Sequence, residues 1–151
     1  VSEPFSTRAA TPHDVNDILN LATQITGLSR ERAREIVTDA TASSNCFLTT
    51  DASGNVVGYA VLSRKAFFGR DFVRLIAVSD RHRRLGVASA LLETALAAST
   101  TESVFISTNV SNAPMRSLLV RDGWTLSGTL TGIDDGDPEM VFWKRPNALT
   151  M

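Results

Sequence analysis

The run Arg83-Arg84-Leu85-Gly86-Val87-Ala88 has the residue types and spacing to hold a phosphate. It follows the apolar stretch Leu75-Ile76-Ala77-Val78 and opens the helix-like stretch Val87 to Ala98, so it reads as a strand passing through a loop into a helix. Gly86 lets the backbone approach an anion with no side chain in the way. The first turn of the following helix offers N–H groups that have no intrahelical acceptor, at the positive end of the helix dipole. Arg83 and Arg84 add charge beside those donors, and Ser89 adds a hydroxyl. Each charge-assisted hydrogen bond to a phosphate contributes about 1.5–3 kcal/mol, so several are needed to hold a long ligand. The loop can supply several, and a diphosphate is the ligand it suits. A basic solvated loop, or a nucleic-acid patch spanning Arg81-His82-Arg83-Arg84, accounts for the charge but not for Gly86 and the small Ala88 at fixed offsets.

The elements around this loop follow from periodicity and capping. Ser6 to Ala10 is a short extended start. Thr11-Pro12-His13-Asp14 opens a helix with Thr as N-cap, Pro at the first helical position and an acid in the first turn, and Val15, Ile18, Leu19 and Ala22 form its apolar face. Ser29 caps a second helix over Arg30 to Ala40, with Ala33, Ile36 and Val37 facing inward. Asn45 to Thr50 and Val56 to Leu62 flank the turn Asp51-Ala52-Ser53-Gly54-Asn55 and predict a β-hairpin. Phe72 to Val78 is the strand before the phosphate loop. In Val87 to Ala98 the only charge is Glu93, so that helix must be covered on most sides. Val104-Phe105-Ile106 predicts a short buried strand, Ala113 to Arg121 a short helix stopped at Gly123, and Trp124 to Thr131 with Met140 to Lys144 a hairpin around an Asp- and Gly-rich loop. The expectation is an α/β domain over residues 1–151, with a mixed sheet of about six or seven strands and about four helices.

Composition sets the outer limits. The 151 residues suit one sizeable core, and 43% hydrophobic with 21% charged residues is a globular balance. Lys plus Arg total 15 against 16 Asp plus Glu, so no global field recruits nucleic acid or an anionic membrane. Val1-Ser2-Glu3-Pro4 has neither the basic start nor the apolar stretch of a secretory signal, and no run approaches a membrane span, which predicts a cytoplasmic address. Cys46 is the single cysteine, so no internal disulfide or multi-cysteine metal site is expected; in its strand it reads as a buried small hydrophobe.

Two segments then carry a family resemblance. R-x-x-G-x-A at Arg83 to Ala88 resembles the acetyl-CoA pyrophosphate signature of the Gcn5-related N-acetyltransferases (GNAT), and Asn112 to Trp124 resembles that family's later segment, an Asn opening a helix that ends in Gly and an aromatic residue. They stand in the family's order and at its usual separation. The resemblance implies a mostly antiparallel sheet with helices on both faces, acetyl-CoA as co-substrate, no metal, and an amine acceptor, small-molecule or on a peptide or protein. It implies cofactor contacts along Ile76, Ala77 and Val78, through Arg83, Arg84, Leu85, Gly86, Val87, Ala88 and Ser89, and at Asn112, with the Val78 amide as an oxyanion-type donor. Asn112 reads equally as a helix N-cap.

The departure from the family pattern is Leu119, where many members place a Tyr that protonates the departing thiolate. Leucine cannot do that, which also raises a non-catalytic acyl-CoA sensor or binding module as an alternative. The acid and base are thus unassigned. Tyr59, the only tyrosine, reads first as a packed aromatic; His82 flanks the cofactor rather than abstracting a proton, and His13 is a surface residue. No carboxylate stands in Phe72 to Val78, where some relatives carry one; Arg74 is there instead. The acidic candidates are Asp134, Asp135, Asp137 and Glu139, which read first as a solvated Asp-Gly-Pro turn and second as a lure for a cationic amine. Exposed strand edges make a homodimer an expectation too.

Overall fold

The computed structural model describes residues 4–25 and 28–146. Its strands are β1 (Ser6–Ala9), β2 (Cys46–Thr50), β3 (Val56–Phe67), β4 (Arg70–Val78), β5 (Val104–Asn109), β6 (Thr125–Leu130) and β7 (Glu139–Lys144). They form one seven-stranded sheet in the order β1-β2-β3-β4-β5-β7-β6. Every neighbouring pair is antiparallel except β4 with β5, which the helix between them makes parallel. The helices are α1 (Val15–Ile25), α2 (Arg30–Ala42), α3 (Val87–Ala98) and α4 (Ala113–Arg121).

The expected caps form. A 3-10 turn over Pro12–Asp14 leads into α1. The Asp14 carboxylate accepts the Thr11 N–H at 2.7 Å and the Arg8 guanidinium at 2.8 Å, and this pairing holds the Asp14 carboxyl well below the usual range. The Ser29 hydroxyl accepts from the Arg32 N–H at 3.1 Å to start α2. On that helix Arg32 pairs with Glu35 at 2.8 Å, an i,i+3 contact.

Helices cover both faces, and each face has its own core. Leu62, Val73, Ile106 and Phe142 meet Leu91 of α3 and Leu119 of α4. Leu48, Tyr59 and Ala77 meet Ile18 and Leu19 of α1 and Val37 of α2. Cys46 lies in this second core with no exposed surface, and burial pushes its thiol up to about 12. Gly58 allows the closest approach between sheet and helix: a Cβ there would lie 2.9 Å from the Val87 Cγ1 and 3.2 Å from the Ala77 carbonyl oxygen. A side chain at that position would push α3 off the sheet.

β3 and β4 are longer than the sequence predicts, running on to Phe67 and starting at Arg70 as a second hairpin. The turn between them has Phe68 at φ 50° and Gly69 at φ 78°, the double left-handed turn that suits hairpin twist but normally takes Asn-Gly. An apolar residue in that position, after the charged pair Arg64-Lys65, hides the strand signal. β4 also carries a bulge. Val61 pairs with Leu75 and Leu62 with Val73, leaving Arg74 without an opposite residue, and the side chains of Val73 and Leu75 fall on opposite faces of the sheet as a result.

The start of β4 is fixed by Asp71, which is fully buried. Its carboxylate accepts from the Lys65 N–H at 2.9 Å, the Ser99 hydroxyl at 2.7 Å, the Thr100 N–H at 3.3 Å and Arg64 at 3.1 Å. Burial pushes this carboxyl up, but the bonds from Ser99, Lys65 and Thr100 outweigh it and hold the group below its usual range. All four partners donate, so an amide cannot replace the acid. Asp71→Asn is expected to cost about 2 kcal/mol at neutral pH by leaving buried groups mispaired. Because the folded pKa is depressed, this stability is present above the unfolded value of about 3.9 and lost as pH falls through the folded value. Urea midpoints should therefore separate the two proteins at pH 7 and converge as pH falls below about 4.

Candidate functional site

Parallel pairing of β4 with β5 stops early. The paired residues are Asp71 with Val104, Phe72 with Phe105 and Val73 with Ile106. Past them β5 stays with β7 as far as Asn109 opposite Glu139, and β4 stays with β3 as far as Val78 opposite Gly58, so the two strands diverge after Val73. The Ser79 N–H donates to the Val57 carbonyl at 2.9 Å, which sets the phase of the β3 ladder. Hydrogen-bonded pairs alternate along an antiparallel ladder, so Ala77 and Leu75 spend their backbone groups on β3. Ile76 and Val78 turn theirs into the gap. Of the expected contacts Ile76, Ala77 and Val78, the structure therefore offers the first and third; the Ala77 main chain is taken by Tyr59 across the ladder, and its side chain packs in the α1 and α2 core.

At the wide end of the gap lies the loop before α3. A 3-10 turn over Asp80–His82 leads to Arg84 at φ 64° and Gly86 at φ 84°, both left-handed. Gly86 is the N-cap of α3 and gives that helix no side-chain cap. The first bond of the helix runs from Ala90 N–H to the Gly86 carbonyl at 3.1 Å. Among the described residues, the N–H groups of Gly86, Val87, Ala88 and Ser89 have no acceptor, which is the donor cluster an anion requires. Nothing lies within 4 Å of a Cβ built on Gly86, so the glycine is needed for its conformation and for an open approach, not to avoid a clash. Val87 uses its side chain in the core, 2% exposed, while its amide remains available.

The side chains around the loop are arranged unevenly. Arg83 pairs with Asp80 at 3.0 Å, whereas Arg84 has no acidic partner among the described residues. His82 Nδ1 lies 2.5 Å from the Ser79 hydroxyl and its ring meets Phe5 edge-on, which fixes it as a wall of the loop. The Ser89 hydroxyl donates to Asp122 at 2.6 Å, so its one proton is committed to the end of α4 and its backbone N–H is the group left for a ligand. Asn112 does cap α4, its Oδ1 accepting the Met115 N–H at 3.3 Å, and its side-chain NH₂ stays without an acceptor among the described residues. Capping and ligand contact are compatible there.

The acid and base candidates come out differently. Tyr59 has no exposed surface and lies in the core under α1 and α2, which fits a packed aromatic and not a proton donor to a substrate. Leu119 is likewise at 0% exposure, in the opposite core. Asp137 accepts from Ser111 twice, N–H at 3.1 Å and hydroxyl at 2.5 Å, and Asp134 accepts from Asn109 at 2.9 Å. These bonds staple the β6–β7 loop to the segment between β5 and α4 and give both acids a structural duty at the mouth of the gap. Glu139, opposite Asn109, is half-buried at the same mouth. Sequence reasoning passed over Asp122, whose link to Ser89 depends on a contact between helices that no local pattern encodes.

Comparison with known proteins agrees with this geometry. The family model described as acetyltransferase (GNAT) family matches residues 14–124. Among solved structures, an acetyltransferase of the GNAT family from Bacillus cereus ATCC 10987 is 29% identical with a TM-score of 0.86, over 93% of this chain and 96% of that one. Ard1 from Thermoplasma volcanium is 23% identical with a TM-score of 0.76, over 93% and 97%. A chimera of spermidine N-acetyltransferase SpeG from Vibrio cholerae and hSSAT is 19% identical with a TM-score of 0.75, over 95% and 96%. No curated protein matches the chain.

Gly86→Asp is expected to raise the dissociation constant for coenzyme A at least about tenfold, since it combines left-handed strain of about 1–2 kcal/mol with a negative charge at the donor cluster. Gly86→Ala carries the strain without the charge and should fall between. Calorimetric titration of all three proteins measures this, and equal affinities would remove the loop from the site.

Proposed function

Because the chain belongs to the acetyltransferase (GNAT) family, we propose that it moves the acetyl group of acetyl-CoA onto a primary amine by direct attack, with no covalent enzyme intermediate. The observation that carries this reading is the free donor cluster at Gly86 to Ser89 standing at the mouth of a gap lined by the outward backbone groups of Ile76 and Val78.

These residues fit acetyl-CoA. The amides of Gly86, Val87, Ala88 and Ser89, with the Arg84 guanidinium nearby, would hold the diphosphate. The pantetheine arm, an amide chain, would take the place of the missing β5 partner along β4, meeting Val78 first and then Ile76. Acetyl-CoA supplies an acetyl group activated as a thioester. The outward amides of Val78 and Ile76 would donate along the arm, and the one that meets the thioester oxygen would stabilise the negative charge growing on it. Asn112 would add a contact from the start of α4.

The α3 side of the gap is taken by the helix and by the cofactor it would hold, so the acceptor must come from the side covered by α1 and α2. Its nitrogen attacks the carbonyl carbon, the carbon–sulfur bond breaks, and coenzyme A leaves as thiolate while the proton of the amine passes to solvent. With Leu119 in the core, the thiolate leaves without a tyrosine acid. A thiol pKa of about 8.5 makes this tolerable near neutral pH, and a positioned acid adds about 10²–10⁴-fold where one exists.

The same leucine motivates the second reading, a binding module for acyl-CoA without turnover. Thiol release from acetyl-CoA with a panel of primary amines separates the two. Transfer predicts saturable release whose kcat/KM climbs with pH until the acceptor amine is neutral, because no protein group has to be protonated for the thiolate to leave. Acetyl-CoA binding with no release above the amine-free rate, across the panel, would establish the binding module instead.

A further inference from the structure

On the side of the sheet covered by α2 lies a cavity of about 740 Å³, lined by that helix, β3 and the bulge of β4. Four arginines line it, Arg32, Arg34, Arg64 and Arg74, against two acidic residues, Glu35 and Asp39. Two of the arginines are already neutralised: Arg32 by Glu35 at 2.8 Å, and Arg64 by Asp71 at 3.1 Å, with Asn45 also accepting from Arg64 at 2.8 Å. Arg34 and Arg74 have no acidic partner among the described residues, and only Asp39 opposes them. The cavity thus keeps an excess of positive charge after its internal pairs are counted.

Arg74 stands at a particular place. It is the unpaired residue of the β4 bulge, directly after Val73, the last residue of β4 paired with β5. Bulges re-aim side chains, and at this one Arg74, an exposed residue, lines the cavity at the narrow end of the gap. From Val78 to Arg74 the strand covers about 13 Å. An extended arm anchored at Gly86 to Ser89 would bring its reacting end toward that narrow end, on the face from which the acceptor must approach.

Resting on the transferase reading, we propose that the cavity between α2 and the β4 bulge binds an anionic group of the acceptor, a carboxylate or a phosphoryl group, and that Arg74, assisted by Arg34, selects an acidic amine over a polyamine. A planar guanidinium pairs with either oxyanion through two parallel hydrogen bonds. The same charge repels an ammonium beside it, which disfavours a polycation and lowers the pKa of the attacking amine toward its reactive neutral form. The anion of the acceptor offsets that repulsion, so binding and deprotonation are served together only when the acceptor carries both groups.

Calorimetric titration of acceptors into the protein saturated with coenzyme A reads this without turnover. L-glutamate and 2-aminoethylphosphonate are expected to bind at least about tenfold more tightly than glutamate diamide or spermidine, the worth of one charge-assisted pair. Arg74→Gln should remove most of that preference and Arg34→Gln part of it. The stronger of the two acids identifies the group as carboxyl or phosphoryl, and either upholds the anion site. Equal affinity for acid and amide, a preference for spermidine, binding by none of the four, or a preference that survives both substitutions would overturn it. Thiol release is scored separately: acids that bind selectively with acetyl-CoA yet release no thiol uphold the cavity and overturn transfer.

Discussion

When two parallel strands separate, the N–H and C=O groups along both inner edges lose their partners, and each such group left unpaired away from water costs about 1–3 kcal/mol. Between β4 and β5 this happens after Val73 and Ile106. The protein does not close the opening, because each strand has another neighbour to keep: β4 is held by β3 to Val78, and β5 by β7 to Asn109. At the other end, Asp71 ties the start of β4 to the turn after α3 and to the β3–β4 hairpin, so the strands cannot slide together from below. The gap is a fixed feature of the sheet, and the backbone groups of Ile76 and Val78 point into it.

The opening also divides the molecule chemically. On one face, Gly58 lets Val87 and Leu91 come down onto β3, which sets the start of α3, with its uncapped amides, level with the wide end of the gap. On the other face α1 and α2 cover β2, β3 and the end of β4 with Leu48, Tyr59 and Ala77 as the contact layer. The bulge at Arg74 is the hinge of this arrangement, since it turns Val73 toward one core and Leu75 toward the other within three residues. One irregular residue therefore switches which side chains each half of β4 gives to each face.

Much of this was legible in the chain itself. Gly86 before an apolar helix marks the left-handed, uncapped start of α3 directly, because the requirements of such a start are local. Asn112 and Gly123 bracket α4 for the same reason, and α3 and α4 have the bounds that periodicity predicts. What escaped was nonlocal or unusual in composition. The β3–β4 hairpin is turned by Phe68-Gly69, a pair with no turn signature on its first member. The phase that sends Ala77 to β3 while freeing Ile76 and Val78 depends on register, which the sequence of β4 alone does not state. Ser89 reads as a ligand donor until Asp122 arrives from α4 to take its proton. The acids of the β6–β7 loop read as free until Asn109 and Ser111 are seen beneath them.

The chemistry left to the site follows from what its two key positions cannot do. Leu119, sealed in the core, has no proton to give, and the Arg74 guanidinium, which has donors only, cannot accept one. In the proposed transfer, neither end of the proton balance is then served by these side chains. The ammonium would then lose its proton to solvent, a loss favoured by the positive field it enters, and the thiolate would leave on its own acidity. In the proposed arrangement a guanidinium at the narrow end would help the first of these by opposing an ammonium, and would help the second by attracting the departing thiolate. A single fixed positive charge would thus favour both the loss of the amine proton and the departure of the thiolate without being protonated or deprotonated itself. It does so only for an acceptor whose own negative group lets it approach that charge.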